Sequence, residues 1–307
     1  MHGWLIIDKP VGLGSTQAVS AVKRALREGG YPRVKVGHGG TLDPLASGVL
    51  PIALGEATKL SGRMLDADKA YDFAISFGEE TDTLDAEGQV VATSHVRPTL
   101  AQVETVLERF TGEIEQVPPA YSALKVEGRR AYDLARAGEE VVLASRNVTV
   151  HELGLCSREG GSPGLGPHLP GGTVNEITLS ARVSKGTYIR SLARDIAYAL
   201  GTVGHVTMLR RVKAGPFGLQ GAISLDKLRQ KAMARQLEEA CLPLAAGLDD
   251  IPALTVTARE AELLRRGQQP TGSAARPGLH LAVLGEVPVA LVECSGGILR
   301  VVRGFNL

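Results

Sequence analysis

The chain has 307 residues, of which 44% are hydrophobic, 22% charged and only 4% aromatic, and its formal net charge is +1. That length allows two domains, and the composition is that of an ordinary soluble protein rather than a collagen-like or disordered one. No apolar run approaches a membrane span, the N-terminal segment reads as a strand entering a turn rather than a secretory leader, and Cys156, Cys241 and Cys294 are too scattered for a zinc or disulfide framework, so a cytoplasmic location is expected.

Trp4 to Ile7 predicts a short buried strand, and Pro10-Val-Gly12 a turn. Ser15 or Thr16 can cap a helix whose apolar side is Ala18, Val19, Val22, Ala25 and Leu26, stopping at Gly29-Gly30. Tyr71, Phe73, Ile75 and Phe77 alternate with polar or small residues, the period of a half-buried strand. Thr99 and Gln102 form a capping-box pattern before a helix that runs through Val103, Val106 and Phe110 to Gly112. The stretch 157–172, rich in Gly and Pro, reads as a flexible surface loop. Ile177 to Val183 alternates as another strand. It leads into a helix with Ile189, Leu192, Ala193, Ile196, Ala197 and Leu200 on one side, ended by Gly201. After about residue 248 the pattern changes to a helix around Ala261, Leu263 and Leu264 and three short strands at 279–284, 287–293 and 298–302. Strands and helices mix without regular β-α-β alternation, so an α+β core at 1–248 and a small β-rich domain at 249–307 are expected.

Charge is unevenly placed along this order. Residues 66–90 carry eight acids and one base, 206–235 seven bases and one acid, and 1–40 six bases and two acids. A neutral total can therefore conceal a basic face opposite an acidic one.

The segment Gly37-His-Gly-Gly-Thr-Leu-Asp-Pro-Leu-Ala-Ser-Gly48 is hard to read as core, because it buries little apolar surface. Its glycines allow close backbone approach, and among them sit the imidazole of His38 and the carboxylate of Asp43. An Asp before Pro is also an ordinary turn or helix-start device, and a His between glycines is often just a loop residue. No phosphate-binding loop signature is present.

Taken together with other segments, the loop resembles the catalytic loop of the TruB family, the bacterial tRNA pseudouridine-55 synthases. The family's further motifs recur in order: Gly3-Trp-Leu-Ile-Ile-Asp-Lys-Pro10, Gly55-Glu-Ala-Thr-Lys59, Lys69-Ala-Tyr71 and Thr81-Asp-Thr-Leu-Asp85-Ala-Glu-Gly88. Then come Pro118-Pro-Ala-Tyr-Ser-Ala-Leu-Lys125, Ser184-Lys-Gly-Thr-Tyr-Ile-Arg190 and Leu209-Arg-Arg-Val212. The likeness covers about 1–245, and the tail resembles a PUA-type RNA-binding domain only loosely. Gly39 stands where many members carry Thr, and Leu13-Gly-Ser-Thr16 alters the usual turn after Lys-Pro.

The resemblance implies a pseudouridine-synthase-type mixed sheet with flanking helices and an appended PUA-like domain. It implies Asp43 as the nucleophile, held ionised by Arg190, with Tyr71 against the target base and able to accept a proton. Tyr188 and Leu209 would line the base, and His38 would enter the RNA loop in place of the flipped nucleotide. Lys125, Arg129 and Arg130, on an insertion at about 120–145, and Arg210 and Arg211 beyond the pocket would grip RNA through phosphates. The expected partner is the T-arm of tRNA, with no membrane, no metal and no cofactor, the protein acting as a monomer. Two other readings stay open: an RNA-binding folding or assembly protein without activity, and a hydrolase that uses Asp85 as a second acid.

Overall fold

The structure is a computed structural model that describes residues 1–126, 128–139, 141–156 and 172–307. Apart from Gly172, the loop read at 157–172 lies outside the described residues. Among the described residues no helix is long and apolar enough to cross a membrane.

The chain opens with β1 (Gly3–Lys9), α1 (Ser15–Glu28), a short β2 (Val36–His38) and β3 (Ser47–Leu54). A 3-10 turn leads to α2 (Ser61–Asp66) and β4 (Lys69–Phe77), and a small hairpin follows, β5 (Glu79–Thr81) with β6 (Val90–Thr93). Next come α3 (Leu100–Leu107), β7 (Gly112–Gln116), the two-residue strands β8 (Lys125–Val126) and β9 (Arg129–Arg130), and α4 (Ala131–Arg136). The chain continues with β10 (Arg146–Leu155), β11 (Glu176–Val183), α5 (Ile189–Ala199), β12 (Gly204–Ala214), β13 (Phe217–Gly218), α6 (Leu225–Met233) and β14 (Leu242–Pro243). The C-terminal β-rich part holds β15 (Ala253–Thr255), α7 (Ala258–Arg265), β16 (Gly278–Leu284), β17 (Val287–Ser295) and β18 (Ile298–Gly304).

The large sheet runs β14-β1-β3-β12-β4-β11-β10-β7, with β2 and β13 paired off that path to β3 and β12. Only β3 and β12 are parallel among the neighbours on the path, so the sheet is mixed but mostly antiparallel, in keeping with an α+β class. Along β1, Leu5 and Ile7 join a core with α1, α3 and α5, including Val22, Val103, Leu192 and Ile196. The alternate residues Trp4 and Ile6 join a second core with Phe217, Leu244, Leu281, Leu291 and Phe305. Both faces of β1 are thus covered, which is why Trp4 to Ile7 are apolar without alternation.

Several expectations shift in detail. Helix α1 is capped by the backbone of Gly14 and not by Ser15 or Thr16, with Gln17 Oε1 accepting from the Gly14 amide at 2.7 Å. The Ser15 hydroxyl is engaged elsewhere, accepting from Leu42 N–H at 2.7 Å and donating to Leu42 C=O at 3.0 Å. The Thr99–Gln102 capping box is present, but α3 ends at Leu107 and continues only as a 3-10 turn to Phe110. The strand begun at Tyr71 in the sequence reading starts two residues earlier, at Lys69. Strands β3 and β12 were not read from the sequence, since β3 is a solid apolar run interrupted by Pro51 and β12 is studded with cations.

Candidate active site

Asp43 lies in the bend between β2 and β3, and several neighbours fix that bend. Ser15 brackets both polar groups of Leu42. Gly12 N–H donates to Pro44 C=O at 2.8 Å, and Lys9 Nζ donates to Leu13 C=O at 2.6 Å and to Pro44 C=O at 3.4 Å. Burial of Lys9 lowers its ammonium to about 8, although the nearby Asp43 carboxylate opposes the shift. The Asp43 side chain is 38% exposed and meets Arg190 Nη2 at 2.9 Å.

Arg190 enters from the first turn of α5, a position where the helix dipole disfavours a cation. Two carboxylates and two carbonyls offset this. Beyond Asp43, its Nη1 pairs with Asp85 Oδ2 at 3.2 Å, and its guanidinium donates to Thr83 C=O at 2.8 Å and Tyr121 C=O at 3.0 Å. Asp85 is 2% exposed, and its other oxygen accepts from Thr83 Oγ1 at 2.6 Å and from Glu87 N–H at 3.1 Å. The preceding Leu84 has φ of +61°, an uncommon conformation for a branched residue, inside the turn that aims Asp85 at Arg190.

A cavity of about 290 Å³ opens over this pair, at the small end of ligand pockets. Tyr71, Tyr188 and Leu209 are on its wall, together with Asp43 and Arg190. The sheet sets the platform: Tyr71 on β4 is the cross-strand partner of Arg211 on β12 and of Ala181 on β11. No hydrogen bond of the Tyr71 hydroxyl is made among the described residues. Four cations line the cavity, Lys69, Arg146, Arg190 and Arg211, and Asp43 is its one carboxylate among the described residues. Burial lowers the Lys69 ammonium to about 8, assisted by Arg211, while its Nζ donates to Leu65 C=O at 2.6 Å.

Arg146 was missed by the sequence reading. Its guanidinium lies 4.8 Å from the centre of the Tyr188 ring, and its Nε and Nη2 are buried without a hydrogen-bond partner. An arginine that opens β10 after an irregular stretch carries no spacing signal, so only the fold exposes it as a cavity residue.

Other expected residues are distributed differently. His38 is in β2, half-buried and off the cavity wall, where its Nδ1 accepts from Gly40 N–H at 3.4 Å. Burial, then Arg211, lowers its pKa below the ordinary imidazole value. Lys125, Arg129 and Arg130 are exposed on the β8–β9 hairpin, with Arg129 paired to Glu139 at 2.8 Å and Arg130 beside the Tyr132 ring. Arg210 is partly exposed and paired with Asp8 at 2.9 Å. The expectation for Arg211 is corrected: it is 1% exposed and donates to the carbonyls of Val49, Thr41 and Gly40, so it cannot reach a phosphate at the surface. Asp85 is likewise no second catalytic acid for hydrolysis, because its carboxylate is buried behind Arg190 and absent from the cavity wall. No group of three or more His, Cys, Asp and Glu placed to hold a metal ion occurs among the described residues.

Comparison with known proteins meets this geometry. Residues 24–189 match the pattern described as TruB family pseudouridylate synthase (N terminal domain), and 190–251 match the tRNA pseudouridylate synthase B C-terminal domain. A relative from Novosphingobium aromaticivorans named tRNA pseudouridine synthase B is 63% identical over 307 residues, spanning 100% of this chain and 98% of the relative. Another of that name, from Zymomonas mobilis subsp. mobilis, is 57% identical over 306 residues, spanning 100% and 96%. A solved Cbf5-Nop10-Gar1 complex contains a chain that superposes with a TM-score of 0.73 at 25% identity, covering 99% of this chain and 85% of that one.

Proposed function

The chain belongs to the TruB family of pseudouridylate synthases, and from that premise we propose that it isomerises uridine 55 in the TΨC loop of transfer RNA to pseudouridine. The reaction breaks N1–C1′, turns the uracil within the pocket and joins C5 to C1′, with the C5 proton released, a proton taken up at N1 and no net redox change. The target base has to leave its stack for C1′ and C5 to be reached, at roughly a few kcal/mol, less for a loop nucleotide than for a paired one.

One observation carries the reading: the Asp43 carboxylate stands 2.9 Å from Arg190 at a cavity walled by Tyr71, Tyr188 and Leu209. A carboxylate there can add to C1′ or C6, or stabilise and deprotonate an intermediate without adding, and either role needs it ionised. The Arg190 guanidinium pairs with it at 2.9 Å. Tyr71 presents its ring to the base and a hydroxyl free to move a proton. Lys125, Arg129 and Arg130 hold the tRNA backbone from the exposed hairpin, and the C-terminal β-rich part serves as a PUA-like RNA-binding unit.

Tritium release from tRNA carrying C5-labelled uridine tests the proposal. An isomerase releases tritium without free base, a hydrolase releases uracil, and an inactive RNA-binding protein gives neither. Asp43→Asn should abolish release while tRNA affinity stays within a few-fold. Appreciable turnover by that variant removes Asp43 from the mechanism.

A further inference from the structure

Arg211 is one of the largest side chains fully buried in the molecule, and among the described residues no carboxylate is paired with it. A buried guanidinium without a counter-ion is expensive, so its presence in the central strand calls for a task. Its donors all converge on one segment. Nε donates to Val49 C=O at 2.8 Å, Nη1 to Thr41 C=O at 3.2 Å and Nη2 to Gly40 C=O at 3.2 Å. Gly40 and Thr41 open the Asp43 bend, and Val49 follows its exit. The backbone of Arg211 completes the contact. It pairs in parallel with Gly48, whose φ is +99° and whose added Cβ would come within 2.2 Å of Arg211 C=O. Only glycine fits there.

We propose that Arg211 is a positioning residue that clasps the Asp43 loop at both ends, its guanidinium holding the entry and, together with its backbone, the exit. Two residues earlier on the same strand, Leu209 is on the cavity wall, and across the ladder Tyr71 is the partner of Arg211. One strand segment therefore fixes the distance between the base platform and the nucleophile. Reactions that depend on near-attack geometry lose about 10²-fold for a displacement near 1 Å, so a loosened clasp should act on the chemical step and leave RNA binding intact. The inference rests on the reading of Asp43 as the nucleophile.

Arg211→Lys keeps the charge and most of the bulk but cannot reach three carbonyls at once. Its single-turnover rate on full-length tRNA should fall by roughly 10²-fold, with the dissociation constant within a few-fold and the salt dependence of affinity unchanged. Amide hydrogen exchange at residues 40–46 should quicken while the rest of the sheet stays protected. In Arg211→Ala, low-millimolar guanidinium should restore part of the rate, and urea at the same concentration should not. A parental rate in Arg211→Lys with unchanged loop exchange overturns the clasp. So does a salt slope lower by about one unit, which would mark a phosphate contact. If Arg211→Ala does not fold, the lysine variant decides alone. If the parent releases no tritium, the activity reading fails, and loop exchange in Arg211→Lys still decides the clasp.

Discussion

Asp85 meets Arg190 at 3.2 Å, and the two side chains are only 3% and 6% exposed. The acid faces away from the cavity, so its effect on chemistry passes through the guanidinium that Asp43 uses. Removing its charge leaves Arg190 with one carboxylate and lets it turn toward Asp43 or withdraw from it. Asp85→Asn should slow single turnover by roughly 10- to 100-fold, the equivalent of one charge-assisted hydrogen bond of about 1.5–3 kcal/mol. Binding of tRNA should stay within a few-fold. A parental rate would show that Asp43 and the carbonyls of Thr83 and Tyr121 suffice to position Arg190.

Tyr71→Phe separates a stacking platform from a proton carrier. Tyr71 is partly buried against the main core, and no hydrogen bond anchors its hydroxyl among the described residues, so thermal stability should barely change. If the hydroxyl moves a proton, single turnover should drop by roughly 10²–10⁴ with unchanged affinity. A rate within a few-fold of the parent would leave Tyr71 with stacking only.

The C-terminal part is bound into the molecule more firmly than an appended unit need be. Phe305, Leu281 and Leu291 share a core with Trp4 and Phe217, Lys59 Nζ donates to Gly304 C=O at 2.9 Å, and Arg63 pairs with Asp250 at 2.8 Å. Were it only an appended RNA-binding unit, truncation near residue 250 would weaken binding of full-length tRNA and spare an isolated T-arm hairpin. With this shared core, such a deletion also uncovers Trp4 and should destabilise the whole chain. Phe305→Ala should cost about 3–5 kcal/mol in a denaturant titration. A loss below about 1 kcal/mol would show the interface to be dispensable.

Alkaline pH gives a signed prediction. Burial lowers Lys9 and Lys69 from 10.5 to about 8, so above that pH the folded chain binds fewer protons than the unfolded one. Stability should therefore rise between about pH 8 and 9. Higher up the trend is opposed, because burial raises Cys241 from 9.0 to about 11 and Tyr198 from 10.0 to about 12. Denaturant midpoints across pH 8 to 9 test this, and Lys69→Met should halve the slope. A falling midpoint in the parent would mean that the carbonyls around Lys9 and Lys69 hold the ammonium form more strongly than burial disfavours it.

Much of the site was legible because its motifs are contiguous. Asp43, Tyr71, Tyr188, Arg190 and Leu209 each sit in a recognisable segment, and the fold gathers them at one cavity. What the sequence hid are relations between segments. Nothing local distinguishes Arg210 from Arg211, yet strand alternation turns one toward Asp8 and the other inward to the loop carbonyls. Ser15 read as a helix cap because Ser before an apolar helix usually is one; its partner Leu42, 27 residues on, was invisible to periodicity. Strand β1 was found, but not the reason for its unbroken apolarity, which depends on β16, β17 and Phe305 from the far end of the chain.

The place of β12 has a consequence for biosynthesis. Strands β3 and β4 are close in sequence but not neighbours in the sheet, for residues 204–214 lie between them. A ribosome therefore delivers the Asp43 loop long before the strand that secures it, and until then β3 and β4 present open edges. The sheet cannot close by sequential hairpin addition; it has to wait for a late insertion, the kind of non-local pairing that slows folding and exposes a nascent chain to aggregation. Fragments released before residue 214 should be inert and prone to associate, and catalytic competence should emerge in one step near the end of translation.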